Sequence, residues 1–383
     1  MNQRYKPSRP CPICGNRSGH ALGKLTYALF DDLDMSGTKT LISCNRCGML
    51  YDDVGFTNHQ LHEYYRRNEH YAVSSFGGSG GISEDNKERY DRIIHKIQPQ
   101  KEKLIIDYGC GQGGFIQCCR QHGLTAVGIE PSQKSREVAR ESGLEVYESL
   151  DAFLAAGKKQ PVEVIVLSHV LEHLLNPSDL LKKLAGITPG AMLYMEVPDA
   201  ASYLSSVAIR WHELYFEHLN HFCRASLLIL AEKTGIDVIL SDTTPFSRNL
   251  SATQCQFLIG RLRNNGIQSA KDYGIDAIPT FELPPLPNGN LPDDNEPFAL
   301  WGISQYAMLL MGSLPQLQRV NRLFDASPAK IGRKIRGITI EKSSDIFTLS
   351  ELSRLIIPFS QYSSQMLKEV EQAGVLLDKI YLI

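Results

Sequence analysis

The sequence predicts an α/β fold: a largely parallel sheet covered on both faces by helices, with a cysteine-paired module before it and a second, smaller α/β half after it. Three observations carry that expectation. Between residues 104 and 198, strand-length apolar runs alternate with segments of helical spacing, as βαβ units do. The run at 162–167, VEVIVL, is almost wholly apolar, as a strand covered on both faces requires. Two Cys-x-x-Cys-Gly pairs precede this region, and 383 residues leave room for two or three domains.

Composition narrows the partners. The 40 Lys and Arg stand against 42 Asp and Glu, a formal net charge of -2, so the basic excess that a phosphate backbone demands is missing. No nucleic-acid partner is expected. No run approaches the ~20 apolar residues of a membrane span, and the opening MNQRYKPSRP lacks the apolar core of a secretory signal. A cytoplasmic, reducing location without membrane contact is therefore expected. In such a compartment the nine cysteines point to metal sooner than to disulfides.

Taken in order, the first element is the cysteine module. Cys11-Pro-Ile-Cys14 is followed by Gly15, and Cys44-Asn-Arg-Cys47 by Gly48. Each turn aims two thiolates at one point, and the two together supply a closed, tetrahedral zinc site of structural type. Cys110, Cys118, Cys119, Cys223 and Cys255 are not assigned to it. An aromatic and polar stretch (62–73) leads into a glycine-serine segment (74–81) that reads as a hinge. Helical spacing follows over 84–97, through Tyr90, Ile93, Ile94 and Ile97.

The stretch 104–115, LIIDYGCGQGGF, reads as a buried strand turning sharply into a helix. Gly109, Gly111, Gly113 and Gly114 stand where a ligand must approach bare backbone. A G-x-G-x-x-G reading also fits and by itself would allow a dinucleotide. Asp107 tips the choice, because a carboxylate there repels a pyrophosphate and suits a cationic amino-acid group. A second strand, 125–129, ends in Glu130, placed to accept hydrogen bonds from ribose hydroxyls. Residues 132–141 read as a helix, 144–147 as a third strand and 162–167 as the fourth. Residues 168–173 open the next helix in this reading, with Asn176-Pro177 closing a turn, and 191–197 form a fifth strand.

Beyond it, residues 210–222 (RWHELYFEHLNHF) gather His212, Glu213, Tyr215, Glu217, His218 and His221 into one connection after a strand end, where such sheets bind substrate. Metal competes as a reading, but the three histidines lack the spacing of a helical pair on one face. A helix at 225–235 and strands at 237–241 and 253–260 complete the region. Six prolines between 279 and 297 mark an extended linker or wrapping arm. Strands at 298–302, 320–324 and 355–358, with a helix at 306–314, form the smaller C-terminal half.

The D-x-G-x-G-x-G run from Asp107 to Gly113 resembles the first motif of class I S-adenosylmethionine (SAM)-dependent methyltransferases. Ser168-His169-Val170-Leu171-Glu172-His173 with Asn176-Pro177 resembles the fourth-strand motif of their small-molecule branch. The likeness covers roughly residues 85–262. Tyr215-x-Glu217-His218 resembles a motif of deoxysugar C-methyltransferases, and Asp325-x-Ser327-Pro328-x-Lys330-x-Gly332 resembles the C-terminal domain of that family. The first turn of this domain reads GISQYA, where the family carries an alanine-rich loop with a lysine.

The order of parts resembles the three-domain, zinc-containing nucleotide-sugar C-methyltransferases. That implies a zinc-binding domain (1–75), a Rossmann-like methyltransferase core (76–262), a Pro-rich linker (263–297) and a smaller Rossmann-like domain (298–383). It implies SAM held by Asp107, Gly109, Gly111, Gly113, Glu130, Ser149, Leu150, Ser168 and His169, and zinc held by Cys11, Cys14, Cys44 and Cys47. The implied acceptor is a nucleotide-linked deoxy-ketosugar. His218 would be the base, Glu217 would orient it, and Tyr215 and Tyr71 would hold the sugar. Glu172 and His173 are assigned to capping and packing, and a monomer or weak homodimer is expected. O- or N-methylation of a polysaccharide sugar or small metabolite is the alternative, and a non-catalytic SAM-binding module a more distant one.

Overall fold

Four strands surround the two cysteine turns, the two longest of them lying between Cys14 and Cys47. These are β1 (Arg4–Tyr5), β2 (Gly19–Thr26), β3 (Thr38–Cys44) and β4 (Leu50–Val54), all antiparallel, followed by helix α1 (Asn58–Arg67). The computed structural model describes residues 4–67, 80–81, 83–158, 160–204, 211, 213–248, 251–263, 283, 285–287, 289–348, 354–360, 362–374 and 380–383.

Helix α2 (Glu84–Ile97) starts at Ser83, whose hydroxyl accepts from the amide of Asn86, and buries Tyr90, Ile93, Ile94 and Ile97. The central sheet then builds in alternation. Strand β5 (Leu104–Tyr108) precedes α3 (Gly114–Gln121), β6 (Thr125–Ile129) precedes α4 (Gln133–Glu141), and β7 (Val146–Tyr147) precedes α5 (Leu150–Ala155). Strand β8 (Val162–Ser168) precedes α6 (Pro177–Ile187), and β9 (Met192–Pro198) follows. A two-residue strand, β10 (Asn220–His221), leads to α7 (Arg224–Lys233) and to the hairpin β11 (Ile236–Arg248) and β12 (Ser251–Leu262).

The sheet order is β11-β12-β9-β8-β5-β6-β7, with β5, β6, β7, β8 and β9 parallel and β12 antiparallel to β9. Strands are added outward from β5 on one side and, from β8 on, on the other, and the crevice at the carboxyl ends of β5 and β8, where this order reverses, is where such sheets bind ligands. Residues 168–173 do not open a helix. Leu171–His173 make one 3-10 turn, and α6 begins at Pro177, because proline suits the first helical position and disfavours helix before it. The third strand is shorter than its apolar run, and β11 and β12 run well past theirs, each taking the other as its ladder partner.

The C-terminal sheet contains β13 (Phe298–Trp301), then α8 (Gln305–Ser313), β14 (Val320–Asp325), β15 (Lys334–Ile335), β16 (Ile338–Lys342), β17 (Leu355–Ile357), α9 (Ser363–Gln372) and β18 (Ile380–Leu382). Its order is β15-β16-β14-β13-β17-β18, parallel from β16 to β18. Asp325, at the end of β14, accepts from the amides of Ile303 and Ser327 and pairs with Lys330 at 3.1 Å, so its carboxylate braces the first turn.

The two outer sheets share one apolar core. Leu25, Leu41, Leu50 and Val54 lie in the same buried cluster as Leu300, Ala307, Leu310, Met311 and Leu323. Met308 O accepts from Ala28 N at 2.8 Å, and Ser313 Oγ donates to Thr26 O at 2.9 Å. From the proline-rich stretch, Leu283 and Leu286 pack on this cluster and Leu291 is buried in it, the wrapping arm of the two readings. Strand β10 joins the first sheet through β4, which ties the connection after β9 to the N-terminal strands. Among the described residues no helix is long and apolar enough to cross a membrane.

Candidate functional site

The glycine loop sits at the switch point. Gly109, Gly111 and Gly113 all have positive φ, at 76°, 54° and 82°, a region that a side chain enters only with strain. A Cβ on Gly109 would stand 2.7 Å from Val170 Cγ2, so the turn after β8 lies directly on the loop. Glu130 is buried at the end of β6, and its two oxygens accept from the amides of Gly111 and Ser132, both at 2.8 Å. Each oxygen keeps a second lone pair with which to accept a hydroxyl. Asp107 is buried beneath the loop. Burial pushes its carboxyl up to about 7, with Arg89 opposing and Glu130 adding to the shift.

Other residues expected at the cofactor take different parts. The hydroxyl of Ser149 caps α5, accepting from Ala152 N at 3.1 Å, and Leu150 is buried behind it. The Ser149 side chain thus caps the helix that follows the expected adenine position. Ser168 Oγ lies 3.4 Å from Glu196 Oε1. His169 has a φ of 58°, and its ring turns into a buried network. Nδ1 is 3.2 Å from Glu172 Oε1, and Nε2 is 3.5 Å from Glu196 Oε1 and 3.8 Å from Cys255 Sγ. Burial works to lower its pKa, but Cys255, Glu172 and Glu196 overturn this and hold it well above the ordinary histidine range. The imidazole expected at the cofactor is thus engaged by two carboxylates and a thiol.

The connection after β9 forms a second cluster beside the first. Leu219 N donates to Glu172 O at 2.7 Å, which pins the connection to the 3-10 turn after Val170. His218 is buried. Its Nδ1 lies 2.9 Å from the carbonyl of Glu213 and 3.7 Å from the Glu213 carboxylate. Glu213 thus faces His218 Nδ1, where Glu217 was the expected orienting group. Glu217 accepts from Tyr64 OH and, at 3.2 Å, from Gln305 Nε2. The Tyr215 ring stands 4.8 Å from that of His218, centroid to centroid, and the His173 ring 4.9 Å on another side. Tyr65 OH is 3.0 Å from His173 Nδ1. Tyr71, His212 and all of the expected hinge except Gly80 and Gly81 lie outside the described residues.

His173 and Glu172, assigned to capping and packing, stand beside His218 in the structure. Glu172 is fully buried, and one of its oxygens and one ring nitrogen each of His173 and His218 lie within 4.8 Å of one another. Sequence reasoning also missed Tyr64, Tyr65 and Gln305, which come from α1 and α8. Only the adjacent aromatics of the 62–73 stretch gave any signal for the tyrosines.

In the cysteine module, Cys11 Sγ is 3.5 Å from Cys47 Sγ, Cys14 Sγ is 3.5 Å from Cys44 Sγ, and all four sulfurs lie within 4.8 Å of one another. Gly15 and Gly48 take positive φ, and their amides bond back to the carbonyls of Cys11 and Cys44. A tetrahedral ion with sulfurs at about 2.3 Å needs sulfur–sulfur edges of about 3.7 Å, so the donors fit one.

Residues 82–241 match the family model of the methyltransferase domain. The chain carries a methyltransferase domain. Over 261 residues it is 24% identical to the C-methyltransferase NovU of Streptomyces niveus, a match that covers 62% of this chain and 58% of the relative. Over 127 residues it is 31% identical to the ubiquinone biosynthesis O-methyltransferase of Stutzerimonas stutzeri, covering 28% and 55%. The chain spans little more than half the length of these relatives. A SAM-dependent methyltransferase from Archaeoglobus fulgidus superposes with a TM-score of 0.38 at 18% identity, covering 54% of this chain and 100% of that one.

Proposed function

We propose that the protein transfers a methyl group from SAM to a small-molecule acceptor, most specifically to the carbon beside the ketone of a nucleotide-linked deoxysugar. The glycine loop with Glu130 and Asp107 would hold the cofactor by its amino-acid end and ribose. SAM supplies an already activated methyl group. What the chain must add is acceptor placement and proton removal. The hydrogen bond from His218 to the Glu213 carbonyl carries the reading. A carbonyl only accepts, so Nδ1 holds the proton and Nε2 is left basic, the tautomer a general base needs. The Glu213 carboxylate, 3.7 Å from Nδ1, favours the imidazolium formed when the α-proton arrives. Tyr215, Tyr71 and His173 would line the acceptor. The named C-methyltransferase relative supports carbon as the methylated atom. The O-methyltransferase relatives support the alternative, in which the same imidazole deprotonates a hydroxyl.

The four clustered cysteines would hold a structural zinc. The experiment incubates the protein with SAM and a TDP-linked 4-keto-6-deoxyhexose in deuterated water. C-methylation predicts α-proton exchange, S-adenosylhomocysteine release and a methylated product. His218→Gln should lower turnover by roughly 10²–10⁴ at unchanged SAM affinity. Near-normal turnover in that variant would dismiss His218 as the base. Methylation without α-proton exchange would favour oxygen.

A further inference from the structure

Away from both clusters, α2 and α3 run side by side against one face of the central sheet, burying Tyr90, Ile93, Ile94 and Ile97 against Phe115 and Cys119. The seam between the two helices carries an unusual set of side chains. Asp91 and His95 lie four residues apart on α2, and Cys118 on α3 lies four residues before His122, which caps it. Side chains at that spacing project from the same face one turn apart, so each helix offers two donors to the seam. His122 Nε2 is 2.8 Å from Asp91 Oδ1, and Cys118 Sγ is 3.2 Å from the same oxygen. The three donor atoms lie within 4.8 Å of one another. The His95 ring faces that of His122, at 6.5 Å between centroids and 79° between planes.

We propose that Asp91, Cys118 and His122, with His95 as the fourth donor, form a divalent-metal site of the zinc class that clips α2 to α3. It is separate from the cysteine module. The donor set argues the class: one thiolate and imidazole nitrogens suit zinc and exclude magnesium or calcium, which prefer oxygen alone. Geometry argues the fit. Ligands at about 2.0–2.3 Å from a tetrahedral ion stand about 3.3–3.7 Å apart, so the two pairs made by Asp91 Oδ1, at 2.8 and 3.2 Å, need to spread by only about half an ångström, while the His95 ring must turn in to complete the set. Without metal, the thiol and the imidazole converge on one carboxylate oxygen. With metal, all three face one cation.

The position argues the role. The eight residues of α3 span about 12 Å, so the metal sits at the far end of the helix from Gly113 and takes no part in methyl transfer. At the near end the helices are already joined, because Gly114 N donates to Gly80 O at 2.6 Å, just before α2 starts. The clip would close the other end and hold rigid the helix that opens with the cofactor loop.

The test titrates the full-length protein, with its resident metal first measured by mass spectrometry, using zinc chloride in a calorimeter. One further equivalent is expected. Asp91→Asn and His122→Gln, both mild and partly solvent-facing, should each weaken that equivalent by at least about tenfold. Cys118→Ser should do the same, while the metal held at Cys11, Cys14, Cys44 and Cys47 stays in place. Zinc should also raise the melting temperature of the parent and not of the double variant Asp91→Asn, His122→Gln. If no further equivalent binds, or if all three single variants bind it as the parent does, the site does not exist.

Discussion

Replacing Lys39 with methionine tests how far the N-terminal sheet governs the candidate site. Lys39 lies on β3 with its side chain fully buried. Its ammonium stands 2.7 Å from Asp52 Oδ2, donates to the carbonyl of His218 at 3.0 Å, and also donates to that of Tyr215. Asp52 is equally buried and faces His221 Nε2 at 3.2 Å, while Tyr203 OH meets His221 Nδ1 at 3.0 Å. Burial works against the Asp52 carboxylate, but Lys39 and His221 outweigh it and hold its pKa below the ordinary range. Methionine keeps the length of the stem and removes the charge. Asp52 is then left buried with one partner, at ~3–5 kcal/mol for a broken buried pair. Two carbonyls also lose a donor, at ~1–3 kcal/mol each when isolated. Because these groups share one network, their costs overlap, and a total of about 5 kcal/mol is expected. At ~2–4 °C per kcal/mol, the melting temperature should fall by roughly 10–20 °C in differential scanning calorimetry. Adding Asp52→Leu should recover much of the loss, since apolar replacement of a whole buried pair is close to neutral. SAM affinity should hold, because nothing in the glycine loop is touched. A shift under about 2 °C, or a double variant no better than the single one, would refute the assignment.

Three further outcomes follow from the same geometry. Metal analysis should find about one zinc per chain, and Cys44→Ser should release it and unfold the first sheet, because β3 ends at that cysteine; full thermal stability in the variant would remove the zinc. Glu130→Ala should weaken SAM binding in calorimetry by more than about tenfold, since it deletes both the ribose acceptor and the brace on Gly111 N; unchanged affinity would place the ribose elsewhere. Asp107 should impose a pH dependence on both stability and binding. Its folded pKa is raised to about 7, so it supports the empty fold most below about pH 4, and that support is lost as pH climbs to about 7. A cationic ligand group favours the carboxylate, so SAM affinity should rise between about pH 6 and 8, and Asp107→Asn should flatten the profile. An equally steep profile in that variant would assign the titration to another group.

What the sequence determined by itself is what short-range chemistry governs. Cysteine pairs two residues apart with a glycine behind them make a knuckle wherever they stand. Glycines after an apolar run make a backbone loop, and an apolar period of two or of 3.6 makes a strand or a helix. The four-cysteine cluster, the glycine loop, the place of Glu130 at a strand end and the succession of the central strands along the chain were legible for that reason. The orientation of His218 was not. Glu213 is five residues away, Tyr64 and Gln305 reach Glu217 across 153 and 88 residues, and Lys39 reaches His218 across 179. Nothing in a local period encodes such distances. They are set when the N- and C-terminal sheets bury a single apolar cluster between them, which carries α1 and α8 to the connection after β9. The sequence could offer the histidine as a candidate, and only the tertiary structure shows Glu213 facing it and Lys39 bonded to its carbonyl.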